Sequence, residues 1–457
     1  MRRVAGGIPL DVTVDRNICM ACCQQESNDQ PINSVVASQL FGAASRFLEH
    51  PDCSGRKRHD TQLLKSYAEQ RIYAVDGAGI RMHTGAGTGV TASSPRRRLV
   101  RMVQRFTRRK PQIGLIGCNI PTGLGFQNRD IAKHLPIKRW LIPSHPHMRN
   151  LSPVDRVSMS VCNRDLSDDE ILRWLIGLDW ILFVETPHDD RITSLAKAVG
   201  VRVAAVCNWE WTCLLESQWL PDVDLMICPT RHTWRLMSDW QTRFFPAWKL
   251  LHVPWPIDGE RFAFQPRRRC RRFVFINGMG GVQARRPNGT LTPYHRKGIE
   301  VLFQAARLAD DVSILVYSQT DTVPNVPPNV TLCKPPTDNR TLYTDADVCV
   351  QPSHWEGLGL QLLECQAAGL PLITSSAAPM NEYQPMRSIP ISRTEVVHLA
   401  GKTPVTSCLM DPRELATILR EVNGSEIEHH SYQARKFVEQ QHEWSTARQQ
   451  ILQAMND

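Results

Sequence analysis

The sequence predicts an α/β protein made of two Rossmann-like halves. From Pro111 onward, short apolar strands alternate with helical stretches, which is the pattern of parallel sheets covered by helices. Two segments, 112–135 and 346–368, each read as a strand, a glycine-rich turn and a helix, the unit that opens a Rossmann-like half. Residues 1–94 differ, because they are rich in small and polar residues and show only short helical patches.

The segment 346–368 is the more informative of the two. Residues 346–352 read as a buried strand closed by proline, and helical spacing follows over 360–368 until Gly369 provides a stop. A turn between them aims free backbone N–H groups and the positive end of a helix dipole at one spot. That spot suits a phosphate.

The composition of this turn narrows the choice of ligand. Gly357 and Gly359 let a ligand approach the backbone closely. Glu356 and Glu364 flank the turn, and carboxylates accept hydrogen bonds from hydroxyls. A diphosphate between hydroxyl-bearing rings, as in a nucleotide sugar, fits this arrangement. The plainer alternative is a tight turn with two solvated glutamates, and the wider run 342–383 favours the nucleotide sugar.

The run 342–383 resembles the donor-binding core of the GT4-like retaining glycosyltransferases of the GT-B fold. The motifs that carry the resemblance are, in order, Leu342 to Val348, Pro352-Ser353, Glu356 to Leu360, Glu364, and Ala368 to Ile373. Several motifs in order over roughly forty residues are far more specific than a lone glycine motif. Gln361 departs from the family pattern, with little expected consequence. The resemblance implies two Rossmann-like domains that face each other across a cleft.

The resemblance also implies roles for individual residues. Glu356 is expected to position the sugar hydroxyls and Glu364 to bind the ribose, while Lys297 of the basic pair Arg296-Lys297 binds the donor diphosphate. Glu356 and Lys297 are thus the implied catalytic residues. The expected donor-binding set is Gly123, Gly125, Arg296, Lys297, Glu356, Gly357, Leu358, Gly359 and Glu364. The expected donor is a UDP-sugar such as UDP-glucose, and no metal cofactor is expected for transfer.

Candidate acceptor residues follow predicted strands of the first half. Ligands of parallel sheets bind beyond the carboxyl ends of the strands, so polar and aromatic residues there are candidates. Tryptophan offers a flat surface on which a sugar or an unstacked base can stack, although core packing is its commoner fate. The candidates are His145, Glu185, Asn208, Trp209, Glu210 and Trp211.

The formal charge of +9 is concentrated in two basic clusters. The alternatives for these clusters are solvated loops, or contacts to a nucleic-acid backbone or an anionic membrane surface. The predicted DNA contacts are Arg96, Arg97, Arg98, Arg101, Arg105, Arg267, Arg268 and Arg269.

The amino-terminal residues carry a possible metal site. Cys19, Cys22, Cys53 and His59 have spacings that a tetrahedral zinc ion accepts, and the alternative is a set of unrelated thiols. No run approaches the roughly 20 apolar residues that span a bilayer, and the amino terminus lacks an apolar signal region. A cytoplasmic protein is therefore expected, in the host cytoplasm if the chain is viral.

These observations define an expected organisation. The expected parts are an extension over 1–94, a basic linker over 95–110, a first Rossmann-like acceptor domain over 111–255, a second Rossmann-like nucleotide-sugar domain over 256–435, and a closing helix over 436–457 that returns to the first domain. The expected reaction is retaining transfer of a sugar to a hydroxyl acceptor.

Two acceptor classes and one function of another class are the alternatives. The arginine clusters and the cysteine-bearing extension favour a 5-hydroxymethylated DNA base, such as 5-hydroxymethylcytosine, as used by bacteriophage-encoded glucosyltransferases. A polysaccharide or a lipid-linked glycan is the alternative acceptor. A silent polyanion-binding protein of the same fold is the alternative of another class, and the intact Glu356, Glu364 and Lys297 argue against it.

Overall fold

The structure is a computed structural model. It describes the backbone of residues 71–76 and 79–84, and residues 110–145, 148–162, 164–214, 217–285, 290–320, 325–336, 338–399 and 404–457 in full. Strands β1 (Arg71–Asp76) and β2 (Gly79–Thr84) form an antiparallel pair within one compact unit. Residues 109–238 and 247–457 form a second compact unit, which contains two parallel sheets and a smaller antiparallel sheet.

The first parallel sheet has seven strands in the order β5-β4-β3-β6-β7-β8-β9. They are β3 (Ile113–Ile116), β4 (Ile137–Pro143), β5 (Ser158–Cys162), β6 (Trp180–Val184), β7 (Arg202–Val206), β8 (Leu225–Cys228) and β9 (Lys249–His252). The connecting helices include α1 (Gly123–His134), α2 (Asp168–Leu175), α3 (Arg191–Ala198) and α4 (Arg231–Arg243). The strand order reverses between β3 and β6, and open parallel sheets bind ligands at such a switch point.

The second parallel sheet has six strands in the order β14-β13-β10-β15-β16-β17. They are β10 (Phe273–Gly278), β13 (Ile314–Ser318), β14 (Val330–Cys333), β15 (Val348–Gln351), β16 (Leu372–Ser375) and β17 (Arg387–Ile389). Helices α5 (Ile299–Leu308), α6 (Leu360–Ala367) and α7 (Pro412–Val422) belong to this half. Its switch point lies between β10 and β15. The predicted α/β class with two Rossmann-like halves is confirmed.

A third, antiparallel sheet joins the second half. Its strands are β11 (Val282–Arg285), β12 (Leu291–Tyr294), β18 (Ile391–Leu399) and β19 (Val405–Met410), and we call it the accessory sheet. Residues 279–295, which lie between β10 and α5, contribute β11 and β12. The sheet buries Val397 and Val405 against Trp355, which immediately precedes Glu356. The accessory sheet therefore supports the turn after β15.

The start of α1 also differs from the prediction. The sequence placed a glycine turn over 121–126 and the helix after it, but the helix begins at Gly123. The side chain of Thr122 caps it by accepting a hydrogen bond from the Gly125 backbone N–H at 3.2 Å. A Cβ at Gly125 would lie 1.9 Å from the Ile120 carbonyl oxygen. The glycine is thus required for close packing of the first helical turn.

The carboxyl-terminal residues form two helices, α8 (Glu428–Gln441) and α9 (Trp444–Asn456), where one closing helix was predicted. The helical structure is interrupted at His442, whose Nδ1 lies 2.8 Å from the Trp255 carbonyl oxygen. The His442 carbonyl in turn accepts the Ile257 N–H at 2.9 Å. Helix α9 lies on the first half, where the Trp180 indole donates to the Met455 carbonyl at 3.2 Å. In the described part of the chain, no helix combines the length and the apolar character needed to cross a bilayer.

Candidate functional site

Glu356 is the centre of the cluster of polar residues at the carboxyl end of β15. The residue is 1% exposed. Its carboxylate accepts hydrogen bonds from Lys297 Nζ at 2.6 Å and from Arg296 Nη1 at 2.9 Å. Ser353 Oγ and Gln361 Nε2 each donate to it at 2.8 Å. The carboxylate is therefore held in one orientation by four donors.

The charges around Glu356 fix its ionisation. Burial raises the pKa of this carboxyl, but the nearby Lys297 and Arg296 outweigh that effect and bring the pKa down to about 2. Burial lowers the pKa of Lys297, while Glu356 opposes that change. Glu356 is consequently a carboxylate at neutral pH, paired with both basic side chains.

The basic pair reaches Glu356 because the chain before α5 packs tightly on the end of β15. Gly298 adopts a φ of +75°, and a Cβ there would lie 1.9 Å from the Pro352 carbonyl oxygen. The Arg296 carbonyl accepts the His354 N–H at 2.8 Å. Glycine at position 298 is thus the condition for placing Lys297 beside Glu356.

The amino termini of α1 and α6 meet at this site. Gly359, with φ of +77°, precedes α6, and this terminus has no side-chain cap among the described residues. A Cβ at Gly123, the first residue of α1, would lie 4.0 Å from Leu360 Cδ1, at the first residue of α6. Gln319 Nε2 also donates to the Pro121 carbonyl at 3.0 Å. An anion at this place would face the positive ends of both helix dipoles.

Predicted acceptor residues of the first half reach the same turn. The Trp209 indole donates to the Glu356 carbonyl at 2.9 Å. Asn208 Nδ2 donates to Glu185 Oε1 at 2.8 Å and to Gln127 Oε1 at 3.2 Å. The ends of β6 and β7 therefore lie close to the end of β15.

Glu210 is buried in this cluster, with 5% of the residue exposed. Its Oε1 lies 3.6 Å from Arg296 Nη1, whereas Oε2 has no hydrogen-bond partner in the described part of the chain. A Cβ at Gly357 would lie 2.5 Å from that Oε2. Burial raises the pKa of Glu210 to about 7 against the opposing charge of Arg296, and Glu356 and Glu185 add to the rise.

The two remaining predicted acceptor residues, His145 and Trp211, are not part of the contacts described above. His145 is exposed beyond the end of β4, and Trp211 is half-buried in the short 3-10 helix Trp209–Trp211. Neither is among the four donors of Glu356. Their roles as acceptor contacts stay predictions.

Glu364 forms a second polar group one helical turn into α6. Arg261 Nη2 donates to one of its oxygens at 2.6 Å, and Tyr343 Oη donates to the other at 3.0 Å. Arg261 Nη1 also lies 3.4 Å from Asp130 Oδ1 on α1. Burial raises the pKa of Asp130 to about 7, opposed by Arg261. Each Glu364 oxygen thus already accepts a bond, and its predicted ribose contact stays a prediction.

Sequence reasoning gave no site role to four residues, namely Ser353, Gln361, Arg261 and Tyr343, of which only Arg261 lies outside the run 342–383 that carries the resemblance. The expectation that Gln361 has little consequence was wrong, because its amide holds Glu356 at 2.8 Å. Its position five residues after Glu356, in the first turn of α6, was the available signal. Arg261 lies 103 residues from Glu364 along the chain, so local pattern gave no signal for it.

The second arginine cluster is only partly available to a ligand. Arg267 donates to the Tyr343 carbonyl at 2.8 Å and the Thr344 carbonyl at 3.3 Å, so it stabilises the fold. Arg268 and Arg269 are exposed. The arginines of the first cluster, Arg96, Arg97, Arg98, Arg101 and Arg105, lie outside the described residues.

No metal site is visible in the ranges that the structure describes. Within them, no group of three or more His, Cys, Asp or Glu side chains is arranged to hold an ion. The predicted zinc ligands Cys19, Cys22, Cys53 and His59 lie outside the described residues.

Residues 288–388 match the family model described as "Glycosyl transferases group 1". The match covers α5, the end of β15 and α6, and so includes Lys297, Glu356 and Glu364. No curated protein sequence matches the chain.

Solved structures of HepE from Anabaena are similar to this chain in fold. The complex with UDP has a TM-score of 0.53 at 12% identity, and covers 76% of this chain and 99% of that chain. The complexes with UDP and glucose and with UDP-glucose, at the same identity and coverage, have TM-scores of 0.51 and 0.50. The chain therefore has the expected GT-B fold, and residues 288–388 are similar in sequence to group 1 glycosyltransferases.

Proposed function

We propose that this protein is a retaining glycosyltransferase that moves a sugar from a UDP-sugar to a hydroxyl acceptor. The observation that carries the proposal is the buried Glu356 carboxylate, held by Lys297 and Arg296 beside the uncapped start of α6. The group 1 match over 288–388 supports it, since that segment contains these residues. UDP is favoured because the similar HepE structures contain UDP or UDP-glucose.

The chemistry follows from the charges at the site. The donor diphosphate lies at the amino terminus of α6, where helix N–H groups, Lys297 and Arg296 stabilise the negative charge that grows on the leaving phosphate. Glu356 orients the sugar hydroxyls. The bond from the anomeric carbon to phosphate breaks, and a bond to the acceptor oxygen forms on the same face. The acceptor proton passes to the leaving phosphate oxygen, so no separate base and no metal ion are required.

The proposed acceptor is a 5-hydroxymethylated base in DNA. Support comes from the exposed Arg268 and Arg269, which have the charge that phosphate contacts need. Trp209 is half-buried and donates its indole N–H to the Glu356 carbonyl, which fixes the ring beside the turn. A polysaccharide or lipid-linked glycan is the competing acceptor class, and the test below separates the two.

The deciding experiment combines UDP-, GDP- and ADP-sugars with plain duplex DNA, with duplex DNA containing 5-hydroxymethylcytosine or 5-hydroxymethyluracil, or with no acceptor. Intact-mass analysis of the nucleosides is the readout. We expect UDP-sugar consumption and a hexose-sized mass gain on the modified base. Donor hydrolysis without a DNA product would support glycosyl transfer and exclude the DNA acceptor. Failure to consume any donor would contradict the proposed activity itself.

Glu356→Gln tests the donor site directly. The variant keeps the shape of the side chain but removes the charge that pairs with Lys297 and Arg296, and we expect transfer to be abolished. Asp222→Asn is the matched control, because Asp222 is also buried and accepts a hydrogen bond from Thr193 Oγ1 at 2.9 Å in the first half. Full transfer activity in a folded Glu356→Gln protein would remove Glu356 from the donor site.

A further inference from the structure

The unpartnered oxygen of Glu210 has no role in the reaction proposed above. Buried polar atoms in proteins are normally hydrogen-bonded, and a buried carboxylate oxygen without a donor is costly. Glu210 is 5% exposed, and the described residues supply no donor to its Oε2. An atom in this condition inside a binding site indicates that the ligand supplies the missing donor.

Glu210 Oε2 lies against Gly357, in the turn that precedes α6. A Cβ at Gly357 would lie only 2.5 Å from Glu210 Oε2 and 3.0 Å from Asn208 Cβ. Any side chain at position 357 would therefore overlap the oxygen. The bare backbone at Gly357 keeps Glu210 Oε2 in contact with the turn where the donor sugar is proposed to bind.

Most of the hydrogen-bonding capacity of the Glu356 carboxylate is already used, so a second carboxylate can take part in sugar recognition. Its Oε1 already accepts hydrogen bonds from Lys297, Ser353 and Gln361. Its Oε2 accepts one from Arg296, whose Nη1 also lies 3.6 Å from Glu210 Oε1. Each carboxylate oxygen accepts about two hydrogen bonds, so Glu356 can accept about one more, on Oε2, from the sugar. Glu210 has one oxygen with its full capacity.

We propose that Glu210 Oε2 accepts a hydrogen bond from a hydroxyl of the transferred sugar, which makes Glu210 a specificity-determining residue of the donor site. This inference rests on the proposed glycosyltransferase function. It extends that function by assigning recognition of the sugar to both halves of the fold, because Glu210 follows β7 and Glu356 follows β15.

The charges at Glu210 favour a hydroxyl over other groups. A phosphate oxygen would be repelled by Glu210, Glu356 and Glu185, whose negative charges all act on Arg296. A cationic group would compete with Arg296, which already faces the pair of carboxylates. A hydroxyl adds no charge and can either donate to a carboxylate or accept from a carboxylic acid. The pKa of Glu210, raised by burial to about 7, makes both forms accessible near neutrality.

The inference predicts a pattern of discrimination between sugars. A site built to bind a hydroxyl rejects the analogue that lacks it, because the buried partner is then left without a donor. The wild type should therefore disfavour one monodeoxy donor through Glu210. When Glu210 is replaced, the preference at that sugar position should disappear while preferences at the other positions remain.

The experiment measures kcat/KM for the UDP-hexose that the wild type turns over fastest and for its monodeoxy analogues. The proteins are the full-length wild type, Glu210→Ala, Glu210→Met and the Asp222→Asn control. We expect the wild type and the control to disfavour one analogue by about tenfold or more. In Glu210→Ala this ratio should approach one, because both donors then lack the contact.

The outcomes are separable. An unchanged discrimination pattern in Glu210→Ala overturns the inference and leaves the proposed function standing. A wild type that turns over no nucleotide sugar overturns both. Thermal unfolding shows whether each variant is folded. If Glu210→Ala does not fold, the same loss of discrimination is required of Glu210→Met, which is similar in length to glutamate and offers only a weak sulfur acceptor.

Discussion

In the first half, β3 leads through Thr122 into α1, and in the second half β15 leads through Gly359 into α6. Both units read alike in sequence as a strand, glycines and a helix. In the first, Thr122 caps the helix and Gly125 admits the Ile120 carbonyl. In the second, Gly359 has a left-handed backbone and offers no side-chain cap among the described residues.

The comparison shows that glycines in the same pattern serve different needs. Those of the first unit permit packing, and the orphan N–H groups of α1 find one partner within their own segment. The second unit leaves its helix terminus without a side-chain cap among the described residues, and it holds Glu356 with two donors of its own and with Arg296 and Lys297 from another segment. Four substitutions test this contrast, in order of decreasing expected effect on stability.

Gly125→Ala should destabilise the protein most. The new Cβ would lie 1.9 Å from a backbone carbonyl oxygen that cannot move aside without disrupting the β3–α1 connection. We expect a loss on the order of 4 kcal/mol or more in the free energy of unfolding, or failure to fold. The matched control is Gly123→Ala, whose Cβ meets only Leu360 Cδ1 at 4.0 Å. Equal effects of the two changes would contradict the packing role of Gly125.

Glu356→Gln should lower stability in a pH-dependent manner. The folded pKa of about 2 lies below the ordinary value of 4.5, so its contribution, about 3 kcal/mol, is present above pH 4.5 and is lost as pH falls toward 2. The stability gap between wild type and variant should therefore shrink by roughly 1 kcal/mol between pH 7 and pH 3.5. Urea unfolding at several pH values measures the gap. A gap that is constant or grows toward acid would exclude the ion pairs as its source.

Gly359→Ala should cost about 2 kcal/mol, because φ of +77° strains a residue with a Cβ and that Cβ would lie 2.8 Å from Leu362 Cδ1. Gly424→Ala is the control, since Gly424 has φ of +73° with nothing within 4 Å of its Cβ. The control should show the backbone strain alone and normal donor binding. Donor affinity should fall only in Gly359→Ala, and calorimetric titration with UDP checks this.

Thr122→Ala should have the smallest effect, about 1 kcal/mol, from loss of the helix cap. We expect the KM for the donor to stay within error, because Thr122 serves its own helix. Thr122→Ser restores the oxygen and should recover most of the lost stability. A large rise in KM with unchanged stability would instead place Thr122 in the donor site.

The sequence was sufficient to predict the strand, turn and helix of the second unit and only partly sufficient to predict those of the first. The motifs from Leu342 to Ile373 are local, and the strand, turn and helix over 348–367 appear where predicted. At 121–126 the glycines favoured a turn, but Thr122 and the space for the Ile120 carbonyl made them the start of α1. Glycine's intrinsic preference was outweighed there by packing that local pattern does not reveal.

The rest of the site depends on contacts between distant segments. Trp209 and Glu356 are 147 residues apart, and Arg296 and Glu356 are 60 apart. Arg296-Lys297 was predicted through the resemblance, whereas Arg261 belongs to no local motif, and Tyr343 lies in the motif Leu342 to Val348 without a predicted role. The accessory sheet was missed for the same reason, since β11 pairs with β18 across more than one hundred residues.

The paired crossings at Trp255 and His442 have a mechanical consequence. The chain enters the second half just after Trp255 and leaves it at His442, and hydrogen bonds of 2.8 and 2.9 Å join these two points directly. Two covalent connections joined by hydrogen bonds restrain each other, because neither can shift without stretching a bond to the other. The crossings at Trp255 and His442 therefore anchor the two halves to each other at one place.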